Sequence, residues 1–453
     1  MTLPNSLKTL QETLDHCAQT HGVPGASVAV FHKGKTHTAQ TGVTSTENGT
    51  AVTPSTVFNI GSVTKLFTAV QTMQLAEKGE ISLDQPVAQH LPGLTNPKIT
   101  ARHILTHTCG LVGDFFMDTG TGDDCLAKYT KACSDLPLAF PEGEVFSYCN
   151  SGYSLLGALV QNVRGVTWER SLEETILNPA GIKHWALFPD QKRSTRAMGH
   201  FVDPQTGNAA PMPLGPRSMG PGGSQLALSP SDLITFARVF LDKNPAHSDT
   251  TILTSASIQT MLEPAVDIPF AYNVRNWGLG WTHFDWGGHQ IFGHDGGTAG
   301  MVCQLRILPK EDIVIALCSN GPGGGGIFRG IVDGLLQETV GISIPPLPST
   351  RAFSGDPDLY TGSYRRFGMQ IDIENQDGNL RALITACDGE ANVPEPTYAS
   401  LEQVNAEMFL ARIPGMGVPI DVYFYTPDGS DQPAYLYSMF RALKRLPSKE
   451  PSE

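Results

Sequence analysis

Several sequence signals are missing from this chain of 453 residues. Its first residues lack the charged stretch and apolar run of a secretory signal peptide. Nowhere do about 18 apolar residues follow one another, as a membrane helix requires. The eight cysteines show no paired spacing, and several stand in apolar surroundings. We therefore expect a cytoplasmic protein whose thiols are reduced and buried, with no membrane partner.

Basic residues are also scarce. The chain has 31 Lys and Arg against 44 Asp and Glu, which gives a formal net charge of −13. Such a balance disfavours nucleic acids and anionic membrane surfaces as partners. We expect a small-molecule or peptide substrate instead, and the composition leaves the oligomeric state open.

Three familiar catalytic motifs are absent. No Gly-x-Ser-x-Gly sequence occurs, which argues against an α/β-hydrolase. The glycine run at 321–326 lacks the Gly-Lys-Ser/Thr ending of a phosphate loop, so we interpret it as a flexible turn. His103 and His107 are four residues apart, but the glutamate of a His-Glu-x-x-His zinc motif is missing. We interpret both as structural histidines and predict no metal and no other cofactor.

A serine and a lysine stand three residues apart at the start of an apolar helix. Residues at i and i+3 share a helical face, about 5–6 Å apart, so the Lys65 amine can reach the Ser62 hydroxyl. A neutral lysine activates a serine as a nucleophile, and burial or a nearby cation is needed to make it neutral. The helix N-terminus adds N–H groups near Ser62. Because Ser-x-x-Lys occurs by chance, the alternative is a capping serine with a solvated lysine.

A proton donor is expected elsewhere, and Tyr148-Cys-Asn150 is the best candidate. A tyrosine near a buried ammonium can have its pKa lowered enough to shuttle protons, which is the role we predict for Tyr148. The side chain of Asn150 offers both a donor and an acceptor. We therefore predict that Asn150 binds Lys65 and a substrate amide together.

A third segment, Gly293-His-Asp-Gly-Gly-Thr-Ala-Gly300, is predicted to lie on a strand edge. Glycines let a substrate backbone approach a strand closely, so we predict that Gly296 and Gly297 bind substrate. The backbone N–H of Gly297 is expected to join that of Ser62 as an oxyanion hole.

Hydrophobic periodicity predicts the main elements of the first 340 residues. We expect a helix over 5–21, a β-hairpin from Ala26 to Val43, and a helix from Ser62 to about Glu77 that Gly79 ends. Another helix is predicted over 151–163 and a long loop over 190–225.

The prolines of Ile344-Pro-Pro-Leu-Pro-Ser-Thr350 predict a linker. We expect one domain over 1–343, the linker over 344–351 and a second domain over 352–446. Six short alternating runs in this second domain predict a small antiparallel β-barrel or sandwich: 360–364, 369–373, 380–384, 408–411, 422–425 and 435–437.

Taken together, the three motifs resemble those of a known superfamily. Ser62-Val-Thr-Lys65, Tyr148-Cys-Asn150 and His294-Asp-Gly296 have the order of Ser-x-x-Lys, Tyr-x-Asn and Lys-Thr-Gly in the serine β-lactamases and penicillin-binding proteins. The resemblance is to their class C, DD-peptidase and carboxylesterase branch and spans about residues 5–340. It implies an α/β (α+β) fold in which an antiparallel sheet is flanked by helices. Ser62 is then expected between that sheet and an all-helical lobe.

The same resemblance implies a mechanism. Ser62 would attack a carbonyl to form an acyl-enzyme, Lys65 and Tyr148 would move protons, and His294 would support Tyr148 or a substrate carboxylate. His294 replaces the lysine that class C β-lactamases use to bind a carboxylate, and a neutral imidazole binds that group less strongly. We therefore expect weak or no β-lactamase activity and a closer likeness to esterases, D-aminopeptidases and amidases.

The segment Tyr360-Thr-Gly-Ser-Tyr364 and the runs after it resemble the lipocalin-like barrel of some superfamily members. These include D-amino-acid-directed peptidases and thioesterases of the penicillin-binding-protein type, which release and cyclise nonribosomal peptides. The implied function is a serine hydrolase or acyltransferase on amide or ester bonds of small or D-residue-containing peptides. The alternatives are a peptide cyclase and a non-enzymatic acyl-binding sensor.

Overall fold

A computed structural model describes residues 3–188, 194–202, 209–241, 252–388, 396–414, 416, 418–427 and 432–447. In these ranges the first 340 residues contain the strands β1 Gly25–His32, β2 Lys35–Gly42, β3 Phe58–Asn59, β4 Trp185–Ala186, β5 His200–Val202, β6 Ala209–Pro211, β7 Ala227–Leu228, β8 Val266–Asp267, β9 Val274–Trp277, β10 Thr282–Trp286, β11 His289–Thr298, β12 Met301–Leu308 and β13 Ile313–Ser319. Eight of them form one antiparallel sheet in the order β2-β1-β13-β12-β11-β10-β9-β8. The three-stranded sheet β3-β7-β4 and the pair β5-β6 lie beside it.

The α-helices of the described ranges are α1 Asn5–Lys8, α2 Leu10–Thr20, α3 Thr64–Glu77, α4 Ala101–Leu105, α5 Cys125–Ser134, α6 Asn150–Arg164, α7 Trp168–Leu172, α8 Pro230–Ala237, α9 Ser255–Leu262 and α10 Gly324–Val340. Short 3₁₀ turns cover Gly61–Val63, Val87–Gln89, Arg217–Gly222, Arg238–Phe240, Pro309–Glu311 and Pro357–Leu359, and a π turn covers Glu173–Leu177. Helices α3 to α7 pack together as a helical lobe.

Helices cover both faces of the main sheet, and the sequence of β1 shows why this arrangement is stable. All eight residues of β1 are buried. Ala29 and Phe31 point into the core shared with the helical lobe. Val28 and Val30 point into the opposite core, beneath α2 and α10. A strand buried on both faces needs a nearly continuous run of apolar side chains, which the sequence Ala-Ser-Val-Ala-Val-Phe supplies at all positions but Ser27.

Most predicted elements of this part are confirmed, with three differences. The predicted helix over 5–21 is interrupted at Thr9, which separates α1 from α2. The predicted loop over 190–225 contains β5, β6 and the turn Arg217–Gly222 in its described residues, while 189–193 and 203–208 lie outside them. The glycine run is no simple turn, because α10 begins within it at Gly324.

The last eight strands close into an antiparallel barrel. They are β14 Gly362–Arg366, β15 Met369–Gln376, β16 Asn379–Ala386, β17 Thr397–Gln403, β18 Met408–Arg412, β19 Ile420–Tyr425, β20 Tyr435–Ser438 and β21 Arg441–Arg445. Large side chains fill its interior, among them Tyr364, Phe409 and Phe424. The expected fold class, including the barrel, is confirmed. The domain limits at 343 and 352 stay a prediction.

The barrel packs against the first 340 residues, which we call the N-terminal part of the chain. The ring of Tyr437 on β20 stacks on that of Phe270, with ring centroids 3.7 Å apart and an angle of 8° between the rings. Outward-facing barrel residues such as Met408 and Tyr423 join the core beneath the main sheet. The N–H of Tyr148 donates to the carbonyl of Phe440 at 2.8 Å, so the barrel touches a predicted catalytic residue.

Two further observations concern the environment of the chain. In the ranges that the structure describes, no helix combines the length and the apolar character needed to cross a bilayer. All eight cysteines are unpaired, and all but Cys387 are buried.

Candidate active site

Ser62 lies in the turn Gly61–Val63, just before α3 and against β11. The backbone of this turn is tightly enclosed. Gly61 has a positive φ of 53°, and a Cβ there would lie 2.7 Å from the Gly297 nitrogen. A Cβ at Gly223 would lie 2.9 Å from the Ser62 nitrogen. Glycines at these places therefore let three segments converge on the Ser62 backbone, which fixes its position.

Lys65 is fully buried on the first turn of α3, and its amine has three partners. The Nζ atom lies 3.0 Å from Ser62 Oγ, 2.6 Å from Asn150 Oδ1 and 2.6 Å from the carbonyl oxygen of Gly222. The last two atoms only accept hydrogen bonds, so a neutral amine donates its two N–H groups to them. Its lone pair then faces the Ser62 hydroxyl. This is the geometry of a base that removes the serine proton.

The protonation state of Lys65 suits that role. Burial is the main cause that lowers its pKa, and the Arg441 cation lowers it further, while Asp114 and Cys149 oppose this effect. The result is a pKa of about 7 in place of the ordinary 10.5. About half of the lysine is then neutral at pH 7, and of the two causes that we expected, burial or a nearby cation, both contribute.

Asn150 begins α6 and connects Lys65 to a buried acid. Its Oδ1 accepts from Lys65, and its Nδ2 donates to Asp114 Oδ1 at 2.8 Å. The predicted contact with Lys65 is therefore present. One of the two Nδ2 N–H groups is already bound to Asp114, so only the other is left for the substrate amide that we predicted.

Tyr148 lies beside both Ser62 and Lys65. The Lys65 Nζ is 4.9 Å from the centroid of the Tyr148 ring. Burial raises the pKa of Tyr148, and a hydrogen bond with Ser62 and the charge of Arg441 only partly oppose it. Our expectation of a lowered pKa was therefore wrong, because the burial of the side chain outweighs the effects that lower its pKa. Tyr148 is a phenol that can donate a proton.

His294 on β11 contacts the Tyr148 hydroxyl, with Nε2 3.5 Å from it. Burial, and secondarily the Lys65 charge, lowers the pKa of His294 to about 3, so the ring is neutral. Its Nδ1 lies 2.6 Å from the carbonyl oxygen of Asp295. A carbonyl only accepts hydrogen bonds, so the proton is on Nδ1 and the Nε2 lone pair faces Tyr148. Of the two roles expected for His294, the geometry favours support of Tyr148 over binding of a carboxylate.

Gly296 and Gly297 on β11 lie against the Ser62 turn. A Cβ at Gly296 would lie 2.0 Å from the Ile60 carbonyl oxygen and 3.1 Å from the Ser62 nitrogen, so only glycine fits. A Cβ at Gly297 would meet no atom within 4 Å, because it would point into open space. The backbones of Ser62 and Gly297 are thus neighbours beside an open cleft. Their oxyanion-hole role stays a prediction.

Comparison with known proteins decides the family. Residues 10–333 match the Beta-lactamase protein family. Penicillin-binding protein 4 of Amycolatopsis lactamdurans is 36% identical over 372 residues, which are 79% of this chain and 97% of that protein. The chain belongs to the β-lactamase-like serine hydrolases. The resemblance inferred from the three motifs is thereby confirmed.

Solved structures agree with this β-lactamase-like assignment. SurE is similar over 98% of this chain and 99% of its own, with 28% identity and a TM-score of 0.82. The similarity therefore includes the barrel. The D-amino acid amidase of Ochrobactrum anthropi SV3 matches 73% of this chain and 98% of its own, with 20% identity and a TM-score of 0.61, which shows a shared fold.

Three site residues of this β-lactamase-like chain were not predicted. The Gly222 carbonyl belongs to a turn inside the supposed loop, and nothing in its local sequence marks it. Asp114 and Arg441 lie far apart in sequence and meet only in the folded chain. His107, predicted to be structural, accepts from the Cys149 N–H at 3.0 Å and so holds the main chain between Tyr148 and Asn150.

Proposed function

We propose that this chain is a serine acyltransferase that forms an acyl-enzyme on Ser62 from amide or ester bonds of small or D-residue-containing peptides. The observation that carries the proposal is the 3.0 Å contact between Lys65 Nζ and Ser62 Oγ. A capping serine with a solvated lysine does not fit, because Lys65 is fully buried.

Acylation follows from the positions of these groups. Lys65 takes the Ser62 proton as Oγ attacks the substrate carbonyl, and the N–H groups of Ser62 and Gly297 stabilise the oxyanion. Tyr148 then gives its proton to the departing amine or alcohol as the bond to the carbonyl carbon breaks. The proton held by Lys65 restores the Tyr148 phenol. No net charge is created in this cycle.

Deacylation needs a second nucleophile, either water or an amine. Its proton passes to Lys65 as it attacks the acyl carbon, the Ser62–acyl bond breaks, and Lys65 returns the proton to Ser62 Oγ. The Nε2 lone pair of the His294 ring lies 3.5 Å from the Tyr148 hydroxyl and orients the phenol before it gives up its proton. Because this ring is neutral, it provides no cation for a substrate carboxylate, which supports the expectation of weak or no β-lactamase activity.

The preference for D-residues is supported by similarity. A structure of SurE with D-Leu is similar over 98% of this chain, with 28% identity and a TM-score of 0.80.

A second candidate function is peptide cyclisation, in which an amine of the same peptide replaces water. The closed barrel is consistent with it, since the resemblance described above associates such a barrel with peptide-cyclising thioesterases as well as with D-amino-acid-directed peptidases.

The test uses matched thioesters of N-acyl-D-leucine and N-acyl-L-leucine, with and without an amine acceptor. We expect an acyl adduct by intact-protein mass spectrometry and at least tenfold faster turnover of the D-thioester. Equal or faster turnover of the L-thioester would contradict the proposed substrate class. Amide product in excess of free acid favours the cyclase over the hydrolase, and a stable adduct without turnover favours an acyl-binding sensor.

A further inference from the structure

The turn between β20 and β21 places one barrel residue next to the catalytic side chains. Met439 and Phe440 both have positive φ values, 50° and 65°, so the chain reverses sharply there. The Phe440 carbonyl is anchored by the Tyr148 N–H at 2.8 Å. The next residue, Arg441, lies with its guanidinium carbon 5.0 Å from the Tyr148 ring centroid. The barrel thus delivers a cation to the site.

The guanidinium of Arg441 forms an ion pair with the buried carboxylate of Asp114. Its Nε donates to Asp114 Oδ2 at 2.5 Å, and its Nη2 donates to Asp114 Oδ1 at 3.1 Å. A bidentate pair of this kind fixes direction as well as distance. Arg366 of β14 adds a contact of 3.3 Å to Asp114 Oδ2. Both cations come from the barrel, whereas Asp114 belongs to the first 340 residues of the chain.

Asp114, held by Arg441, in turn fixes the orientation of the Asn150 side-chain amide. An asparagine side chain has nearly the same shape when its oxygen and nitrogen exchange places, so something must choose the orientation. An ionised carboxylate accepts only, and therefore binds the Nδ2 side and leaves Oδ1 for Lys65. Burial works to raise the pKa of Asp114, but the charges of Arg441 and Arg366 and the bond from Asn150 lower it on balance. Asp114 is thus ionised.

We propose that Arg441 is a positioning residue, which acts through Asp114 and Asn150 to hold Lys65 against Ser62, so that the barrel completes the catalytic site. The contacts run without a gap: Arg441 to Asp114, Asp114 to Asn150 at 2.8 Å, and Asn150 to Lys65 at 2.6 Å. The proposal rests on the proposed function, because it assigns Lys65 the role of base.

Charge provides a readout that packing alone would not move. The titratable and charged groups around Lys65 are Arg441, Asp114, Cys149, Tyr148, Tyr153, His107 and His294. Among the formal charges, Arg441 lowers the pKa of Lys65 and Asp114 raises it. The acylation rate should fall at low pH, where Lys65 is protonated, and we call this part of the pH–rate profile the acid limb. Removing the Arg441 cation should move the acid limb to higher pH, and removing the Asp114 anion should move it to lower pH.

The test measures acylation rate against pH for the full chain and four variants. Arg441→Met should shift the acid limb up by about one pH unit and slow acylation at pH 7 about fivefold to tenfold, since nearby charges shift a pKa by this order. Arg441→Lys, which keeps the charge, should have an acid limb close to that of the wild type. Asp114→Asn should shift the limb down. The control is Arg412→Met, which removes an exposed barrel arginine paired with Glu402, and it should match the wild type.

The outcomes separate this proposal from the one on which it depends. A wild type that forms no acyl-enzyme would refute the proposed function. The positioning role alone would be refuted by a different result. In that case the wild type shows an acid limb near pH 7, and a folded Arg441→Met variant has the same limb and the same acylation rate. If Arg441→Met does not fold, Asp114→Asn decides, because a limb that stays in place or moves up contradicts the proposal.

Discussion

The ionisation of Lys65 leads to the sharpest kinetic prediction. With a pKa of about 7, the neutral fraction falls from about one half at pH 7 to about one tenth at pH 6 and about one hundredth at pH 5. An ordinary lysine would be neutral in only about one molecule in 3000 at pH 7. We therefore expect the acylation rate to fall about tenfold per pH unit below pH 7 and to level off above about pH 8.

Among the described residues around Ser62, no other titratable side chain explains such a fall in rate. His294 has a pKa of about 3, and burial also lowers the pKa of His107, so both stay neutral over the range. The pKa of Tyr148 is raised, which places its ionisation far above pH 8. The fall in acylation rate below pH 7 should therefore be lost when Lys65 is substituted, and kept when any other side chain in contact with Ser62 is substituted.

The assay follows adduct formation with an activated acyl donor by rapid quench and intact mass from pH 5 to pH 9. Lys65→Met should slow acylation by about 10²–10⁴, the usual contribution of a general base. The matched control is Lys131→Met on the exposed face of α5, which should leave rate and limb unchanged. A wild-type rate that is flat between pH 5 and pH 9, or a Lys65→Met rate within tenfold of wild type, would refute the assignment of the base.

Three other variants, one of them a matched glycine control, test the remaining geometry. Tyr148→Phe should lower turnover by about 10²–10⁴ with an unchanged thermal midpoint, and turnover within a few fold of wild type would show that the phenol gives no proton. Gly296→Ala should abolish acylation, because its Cβ would lie 2.0 Å from the Ile60 oxygen, whereas Gly334→Ala in α10 meets nothing within 4 Å and should stabilise the fold by about 0.5–1 kcal/mol. Acylation is measured by adduct formation and stability by thermal melts. The packing described above would be contradicted by normal acylation in Gly296→Ala or by a lower thermal midpoint in Gly334→Ala.

The parts of the site that sequence predicts well are those made by short contiguous motifs. Ser62 and Lys65 are adjacent on one turn because helix geometry alone brings i and i+3 together. Tyr148 and Asn150 were found because both stand in one short motif, and their contacts with Lys65 follow. The error on the pKa of Tyr148 has a physical cause: burial depth is set by the whole fold.

The contacts that sequence did not predict are the long-range ones. Asp114 and Arg441 are 327 residues apart, and no local pattern connects them. Strand β21, Arg441-Ala-Leu-Lys-Arg445, carries three basic residues and lacks the alternation that marked six of the eight barrel strands. Two barrel strands were not predicted, β17 and β21, and β21 is the one that carries Arg441. Only the closed barrel shows where this strand lies.

The central claim is that Ser62 carries the acyl group, and peptide mapping tests it most directly. The full chain and Ser62→Ala are treated with the same activated acyl donor, digested and analysed by mass spectrometry. We predict one acyl group on the peptide that contains Ser62 in the wild type and none in Ser62→Ala. An acyl group retained in the variant, or found on a different residue of the wild type, would contradict the claim.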